Sequence, residues 1–213
     1  MLRRTRLLFV GDSVAAGFRL AEAPAYPQLA AEHLRQRDLD VDVVVDALDG
    51  ADSAYVLKRF SRMVTAHEPD VVVVELGLND ARPPLPRQVT PPAAYAANLV
   101  GLVDRILSLG AQPVLVTPNP RFDSAQQPRV AGDPATDCML PYVEAVRGLA
   151  RDLRLPLIDA YQAFLAEDDL PSLIPDGVHP SAAGHELFAD VVAEELLGSG
   201  LCARRGRTAD ARR

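Results

Sequence analysis

Short apolar runs rich in β-branched residues alternate along this chain with longer segments of helical periodicity. The clearest run, residues 71–74, is four consecutive valines. Continuous apolar runs of this length are typical of strands buried on both faces in parallel sheets that helices cover. The predicted strands are 6–10, 41–46, 71–76, 113–117 and 156–158, and the predicted helices are 26–37, 54–65, 91–109, 142–153 and 181–197. This alternation predicts an α/β fold, a three-layer α/β/α sandwich with a flavodoxin-like five-stranded parallel sheet.

The length of 213 residues favours one domain, because splitting the chain would leave two poorly buried cores. We therefore expect one domain over residues 1–200. Five arginines fall in the last ten residues without apolar periodicity, so residues 201–213 are predicted to form a basic, disordered tail. The net charge of −7 has the wrong sign for binding to nucleic-acid phosphates, and we expect no nucleic-acid partner.

The amino-terminal residues predict a cytoplasmic chain. The apolar run at residues 7–10 is too short for a signal peptide, and no Ala-x-Ala cleavage site closes it. No apolar stretch approaches the ~20 residues that a membrane span needs, so we expect no membrane insertion. Cys138 and Cys202 show neither metal spacing nor a disulfide framework. The sequence also lacks phosphate-loop and dinucleotide motifs, and we expect neither a metal nor another cofactor.

Two polar motifs follow predicted strands. Ser13 comes shortly after the first strand, in Gly-Asp-Ser, and Asn79 follows the third strand, in Gly-Leu-Asn-Asp. Because the first and third strands are neighbours in a flavodoxin-like sheet, both side chains are predicted to reach one crevice at the carboxyl edge. Each motif alone has a plainer interpretation, Ser13 as a helix cap and Asn79 as a turn residue.

A third motif places Asp176 three residues before His179, just ahead of the last predicted helix. A serine hydroxyl is a poor nucleophile at neutral pH, so it needs a base with a pKa near 7 and an acid that orients that base. Ser13, His179 and Asp176 are the residue types that this chemistry needs. An Asp-x-x-His segment alone is common, and Asp176 could instead cap a turn, but three such motifs together are far rarer.

In this order the motifs resemble those of the SGNH hydrolases, also called GDSL esterases and lipases, from residue 11 to about residue 197. The resemblance implies that Ser13 is the nucleophile and that His179 and Asp176 complete a catalytic triad. It further implies an oxyanion hole formed by the Ser13 N–H, a glycine N–H and the Asn79 side chain. Gly50, which follows the second predicted strand, is the best match for that glycine.

These residues predict a serine hydrolase that cleaves a small-molecule carboxylic ester or thioester of a small or medium acyl group through an acyl-enzyme. An acyltransferase, which passes the same acyl group to an alcohol or amine, is the alternative. A non-catalytic binding protein is the third hypothesis.

Two long connections, 81–89 and 118–141, are predicted to select the substrate, because long loops in compact domains are often functional. The candidate substrate-binding residues are Arg82, Arg121, Phe122 and Tyr142. Solvated surface arginines and packing of the two aromatic rings into the core are the competing interpretations.

Overall fold

A computed structural model describes residues 4–81, 88–121 and 137–202. In this part of the chain, five parallel strands form one sheet in the order β2-β1-β3-β4-β5. The strands are β1 (Thr5–Gly11), β2 (Val41–Ala47), β3 (Val71–Glu75), β4 (Gln112–Val116) and β5 (Leu157–Ile158). Helices lie on both sides of the sheet, so the predicted flavodoxin-like α/β/α class is confirmed.

The helices in the described ranges differ from the prediction mainly in number. They are α1 (Ser13–Ala16), α2 (Tyr26–Gln36), α3 (Ser53–Lys58), α4 (Phe60–Met63), α5 (Leu78–Ala81), α6 (Pro92–Ser108), α7 (Leu140–Leu153), α8 (Ala160–Leu165), α9 (Leu170–Leu173) and α10 (Ala182–Gly198). The predicted continuous helix 54–65 is wrong, because the chain breaks at Arg59 into α3 and α4. Helices α1, α5, α8 and α9 span only four to six residues each, too few to show a helical period.

Strand burial explains the apolar runs. All five residues of β3 are buried, and β1 and β4 are nearly as well covered, whereas the edge strand β2 is mostly half-buried. In the sheet register Gly11 lies beside both Ala47 and Glu75, and Glu75 lies beside Val116. Four strands therefore end at the same level, and the residues that follow them meet at one edge.

The last helix approaches the core closely at a glycine. A Cβ atom on Gly184 would lie only 2.4 Å from the Leu173 carbonyl oxygen at the end of α9. Ser181 caps α10 by accepting a hydrogen bond from the Gly184 N–H. The absence of a side chain at this position lets α9 and α10 enclose a short segment, 174–181, which contains Asp176 and His179.

The last two described residues pack on the core. Cys202 is buried in the core cluster, and Leu201 packs against it, two residues beyond position 200. The remainder of the predicted tail, 203–213, lies outside the described residues. Within the described ranges, no helix combines the length and apolar character needed to cross a membrane.

Candidate active site

Ser13 begins a single-turn helix directly after β1. Asp12 caps this helix, because its Oδ1 accepts the Val14 N–H at 2.9 Å. A Cβ atom on Gly11 would lie 2.7 Å from the Ala15 Cβ, so the tight turn from strand to helix requires glycine there. Ser13 is 8% exposed and lies at the carboxyl edge of the sheet.

Ser13 is hydrogen-bonded to an imidazole and, through it, to a carboxylate. The Ser13 Oγ lies 3.1 Å from the His179 Nε2, and the His179 Nδ1 lies 2.9 Å from the Asp176 Oδ2. The other carboxylate oxygen, Oδ1, accepts the backbone N–H groups of His179 at 2.7 Å and Val178 at 2.9 Å. The structure therefore brings together three residues that span 166 positions of the chain.

The electrostatics suit a proton on the His179 Nδ1. Burial raises the pKa of Asp176, but hydrogen bonds from the backbone and ring of His179 and from the Val178 N–H outweigh it, so the pKa lies below 3.8. The carboxylate is thus ionised at neutral pH and accepts the Nδ1 proton. The lone pair of the Nε2 then points to the serine hydroxyl, as general-base chemistry requires.

Asn79, on α5, connects the turns that follow β1 and β2. Its Nδ2 donates to the Asp12 Oδ2 and to the Ala51 carbonyl oxygen, each at 3.0 Å. Gly50 precedes Ala51 and has φ of 74°, in the left-handed region that favours glycine. The predicted oxyanion residues thus belong to adjoining turns. Both amide hydrogens of Asn79 are engaged, so an oxyanion would have to take over one of them.

A buried network behind Asn79 ties α5 to α3 and α6. Asp80 accepts the Ser53 hydroxyl at 2.6 Å and the Ser53 N–H at 3.0 Å, and Asn98 donates to the same hydroxyl at 2.9 Å. Burial raises the pKa of Asp80 despite these hydrogen bonds. The aspartate after Asn79 therefore holds the two oxyanion turns in register.

Two fully buried carboxyl groups adjoin the Ser13 turn. Burial, with a contribution from the charge of Asp80, raises the pKa of Asp12 to about 7, although the Val14 N–H and the Asn79 amide oppose the shift. Burial and the charge of Asp12 raise the pKa of Glu75 well above 4.5. Glu75 is 0% exposed at the end of β3, so the charged form of its carboxyl group is disfavoured there.

Sequence reasoning missed three side chains that contact the segment of Asp176 and His179. The Phe18 ring lies 4.7 Å from the imidazole, tilted by 51°, and Arg19 donates to the Asp176 Oδ2 at 2.7 Å. Asn119, fully buried after β4, donates to the Val178 carbonyl oxygen at 3.0 Å. A polar residue just past a strand was the signal used for Asn79, and it would also have found Asn119.

The structure describes two of the four predicted substrate-binding residues, Tyr142 and Arg121. Tyr142 packs edge-on against Tyr95 in the core, and its hydroxyl donates to the Thr90 carbonyl oxygen at 2.6 Å. Packing, the alternative that the sequence left open, therefore describes this side chain. Arg121 is half-buried after β4, at the same edge as Ser13. Arg82 and Phe122 lie outside the described residues, as does most of both long loops.

A cavity of about 440 Å³ opens beside the imidazole. Leu20, Pro175 and Pro180 form its apolar side, and Arg19 and His179 contribute polar groups. This size is in the range of small-molecule sites. In the part of the chain that the structure describes, no group of three or more His, Cys, Asp or Glu side chains is arranged to hold a metal ion.

Comparison with known proteins finds relatives that are named as lipases, acylhydrolases or esterases. A family model described as GDSL-like Lipase/Acylhydrolase family matches residues 9–187. An arylesterase of Vibrio mimicus is 26% identical over 195 residues, which cover 90% of this chain and 88% of the arylesterase. A solved lipase/acylhydrolase from Enterococcus faecalis superposes with a TM-score of 0.77 at 27% identity, covering 92% of this chain and 96% of that one. An acetylxylan esterase from Geobacillus stearothermophilus gives 0.75 at 26% identity, with 90% and 94% covered.

Proposed function

Because this chain belongs to the GDSL-like lipase/acylhydrolase family and hydrolyses esters as an enzyme of that family, we propose that it does so through an acyl-enzyme on Ser13. The proposed substrate is a small-molecule carboxylic ester or thioester with a small or medium acyl group. One observation carries the proposal: the Ser13 Oγ, the His179 ring and the Asp176 carboxylate form one chain of hydrogen bonds at 3.1 and 2.9 Å. Both distances are within the reach that proton transfer needs.

The proposed reaction begins when the His179 Nε2 takes the proton of the Ser13 hydroxyl. The Oγ attacks the carbonyl carbon of the substrate, and negative charge develops on the carbonyl oxygen. We assign the Ser13 N–H, the Gly50 N–H and the Asn79 side chain as donors to that oxygen. In enzymes of this type, a single such donor lowers the barrier by about 3 to 4 kcal/mol.

In the second half of the reaction, His179 gives up the proton that it took from Ser13. The His179 imidazolium, paired with Asp176, donates its proton to the leaving alkoxide or thiolate, which departs and leaves the acyl group on Ser13. A water molecule then loses a proton to the imidazole and attacks the acyl carbonyl, and the acid leaves as the Ser13 hydroxyl re-forms. The reaction balances without a cofactor, because every proton passes through His179.

Two observations support a small or medium acyl group. Two of the relatives that match over most of their length are named as an arylesterase and an acetylxylan esterase. The cavity beside His179, about 440 Å³, has room for a small substituent of the ester. We therefore expect p-nitrophenyl acetate and butyrate to be cleaved faster than esters of long-chain acids.

The test is peptide-level mass spectrometry after incubation with a fluorophosphonate, which reports an activated serine whatever the natural substrate. We expect one adduct on Ser13, no adduct in Ser13→Ala, and labelling slowed at least 10²-fold in His179→Ala. His33→Ala, which removes a histidine of α2 that contacts Asp190 and has no assigned role in the site, is the matched control and should label like wild type. Folded protein without an adduct on Ser13 would contradict the proposal. A new ester formed when an alcohol is added would instead indicate acyl transfer.

A further inference from the structure

Arg19 contacts the same carboxylate oxygen that binds the imidazole. Its Nη1 donates to the Asp176 Oδ2 at 2.7 Å, and the His179 Nδ1 lies 2.9 Å from that oxygen. One oxygen atom of Asp176 is thus shared between a guanidinium, which is always charged, and the ring that must gain and lose a proton.

The segment that carries Arg19 is built around this contact. Arg19 has φ of 70°, a left-handed conformation that a non-glycine residue rarely adopts. The Phe18 N–H donates to the Ser13 carbonyl oxygen at 2.9 Å, which joins the segment to the helix of the nucleophile. The Leu20 N–H donates to the Gly17 carbonyl oxygen at 3.1 Å. Residues 17–20 therefore form a fixed turn rather than a free loop.

Phe18 links Arg19 to the imidazole. Its ring is 40% exposed, which is unusual for phenylalanine. The centre of the ring nevertheless lies 4.7 Å from the centre of the His179 ring. The guanidinium carbon of Arg19 lies 5.5 Å from the centre of the same ring. The turn after α1 therefore covers both members of the Asp176–His179 pair.

Several groups of the described residues adjoin the imidazole. They include Ser13 on α1, Asp176 on its own segment, Phe18 with Arg19 on the turn, and His185 on α10. Burial, and then the charge of His179, lower the pKa of His185 to about 4, so His185 is uncharged in the working range. Arg19 is thus a permanent positive charge in direct contact with the carboxylate.

We propose that Arg19 is a positioning residue for the esterase reaction, which holds the Asp176 carboxylate against His179 and extends the activity of the enzyme toward acid pH. The inference rests on the proposed function of Ser13 and His179. The physical reason is that a cation beside Asp176 weakens the attraction of the carboxylate for a protonated imidazole. Removing the guanidinium should therefore move the acid limb of the pH profile to higher pH.

The test is the pH profile of kcat/KM for p-nitrophenyl acetate, an uncharged substrate, in wild type, Arg19→Gln and Arg19→Lys. In Arg19→Gln we expect the acid limb to move to higher pH by about 0.5 to 1 unit. At pH values below this limb, kcat/KM of Arg19→Gln should be about 3- to 10-fold lower than that of wild type. At pH 8 the two values should differ little. Arg19→Lys keeps the positive charge, so its acid limb should lie close to that of wild type. In wild type, 0.5 M salt should move the limb in the same direction as the Gln variant.

Arg37→Gln is the matched control, because Arg37, at the carboxyl end of α2, pairs with Glu194 at the same 2.7 Å and its loss changes the net charge equally. Its acid limb should coincide with that of wild type. An unshifted limb in Arg19→Gln, or a rise in KM at every pH without a shift, would overturn the role of Arg19. Fluorophosphonate labelling at pH 8 separates the two proposals: normal labelling of Ser13 with an unshifted limb overturns this inference alone, whereas no labelling in wild type overturns the proposed function and this inference with it.

Discussion

At the residue scale, the turn that carries Ser13 is surrounded by groups whose charge is controlled by burial. Glu75 is 0% exposed and adjoins the buried carboxyl group of Asp12, so a charge on both would be costly. The raised pKa of Glu75 also disfavours a second negative charge near the place where the proposed oxyanion forms. Burial of this acid therefore favours the reaction.

Glu75→Gln tests this interpretation through stability. A carboxyl group whose pKa is raised in the folded state stabilises the fold fully below pH 4.5, its ordinary pKa, and that stability is lost as pH rises toward the folded value. Glutamine keeps the shape and cannot ionise. The free energy of unfolding of the variant should therefore exceed that of wild type by an amount that grows with pH, at most about 1.4 kcal/mol per unit.

Urea unfolding at pH 5, 7 and 9 measures the difference. Glu32→Gln, on the exposed side of α2, is the control, and its difference from wild type should not grow with pH. A Glu75→Gln variant that is less stable than wild type by the same amount at every pH would mean that Glu75 is held as an ion. Glu75→Ala also cannot ionise but leaves a cavity, so it should be less stable than Glu75→Gln at all three pH values.

At the scale of elements, the position of His179 depends on how α10 meets α9. The Ser181 N–H donates to the Leu173 carbonyl oxygen at 2.8 Å, and Gly184 passes over the same carbonyl without room for a methyl group. The loop with Asp176 and His179 is therefore closed at both ends by one packing contact. Helix packing, rather than the loop itself, decides where the imidazole lies.

We expect Gly184→Ala to lower the free energy of unfolding by about 1 to 3 kcal/mol, because the added methyl group meets backbone and one helix must shift. The shift should also reduce kcat more than it raises KM, since it moves the imidazole relative to Ser13. Gly198→Ala, at the far end of the same helix with nothing within 4 Å, is the control and should leave both unchanged or slightly raise stability. Thermal unfolding and steady-state kinetics measure the two effects. A Gly184→Ala variant with wild-type kcat would show that the loop keeps its position without the helix contact.

At the scale of the whole molecule, α2 and α10 are joined by a buried histidine across 159 positions. The His185 Nδ1 accepts the N–H of Tyr26, the first residue of α2, at 3.1 Å, and α2 has no side-chain cap of its own. The interaction needs a neutral ring, and burial lowers the pKa of His185 to about 4. The stability of the fold is thereby linked to the protonation of one side chain.

The sign of this linkage is opposite to that of Glu75. With a folded pKa of about 4 against an ordinary 6.5, His185 leaves stability intact above pH 6.5 and lowers it as pH falls toward 4. The full loss is on the order of 3 kcal/mol. We expect His185→Gln to be less stable than wild type at pH 7 and to approach it by pH 4, as urea unfolding would measure. His33→Gln, a partly exposed histidine of α2, is the control. A constant difference across this pH range would contradict the linkage.

The sequence by itself determined the strands, their parallel order and the polar residues that follow them. Unbroken apolar runs such as β3 are local features that only a sheet covered on both faces accommodates, and their order along the chain allows few topologies. Ser13, Asn79, Asp176 and His179 were therefore candidates on their own motifs, and Gly50 was a candidate through the resemblance to the SGNH hydrolases. Only the tertiary structure decided that Arg19 meets Asp176, that Tyr142 belongs to the core, and that Glu75 is buried beside Asp12. These contacts depend on how distant segments pack, and periodicity along the chain carries no information about which side chains packing brings face to face.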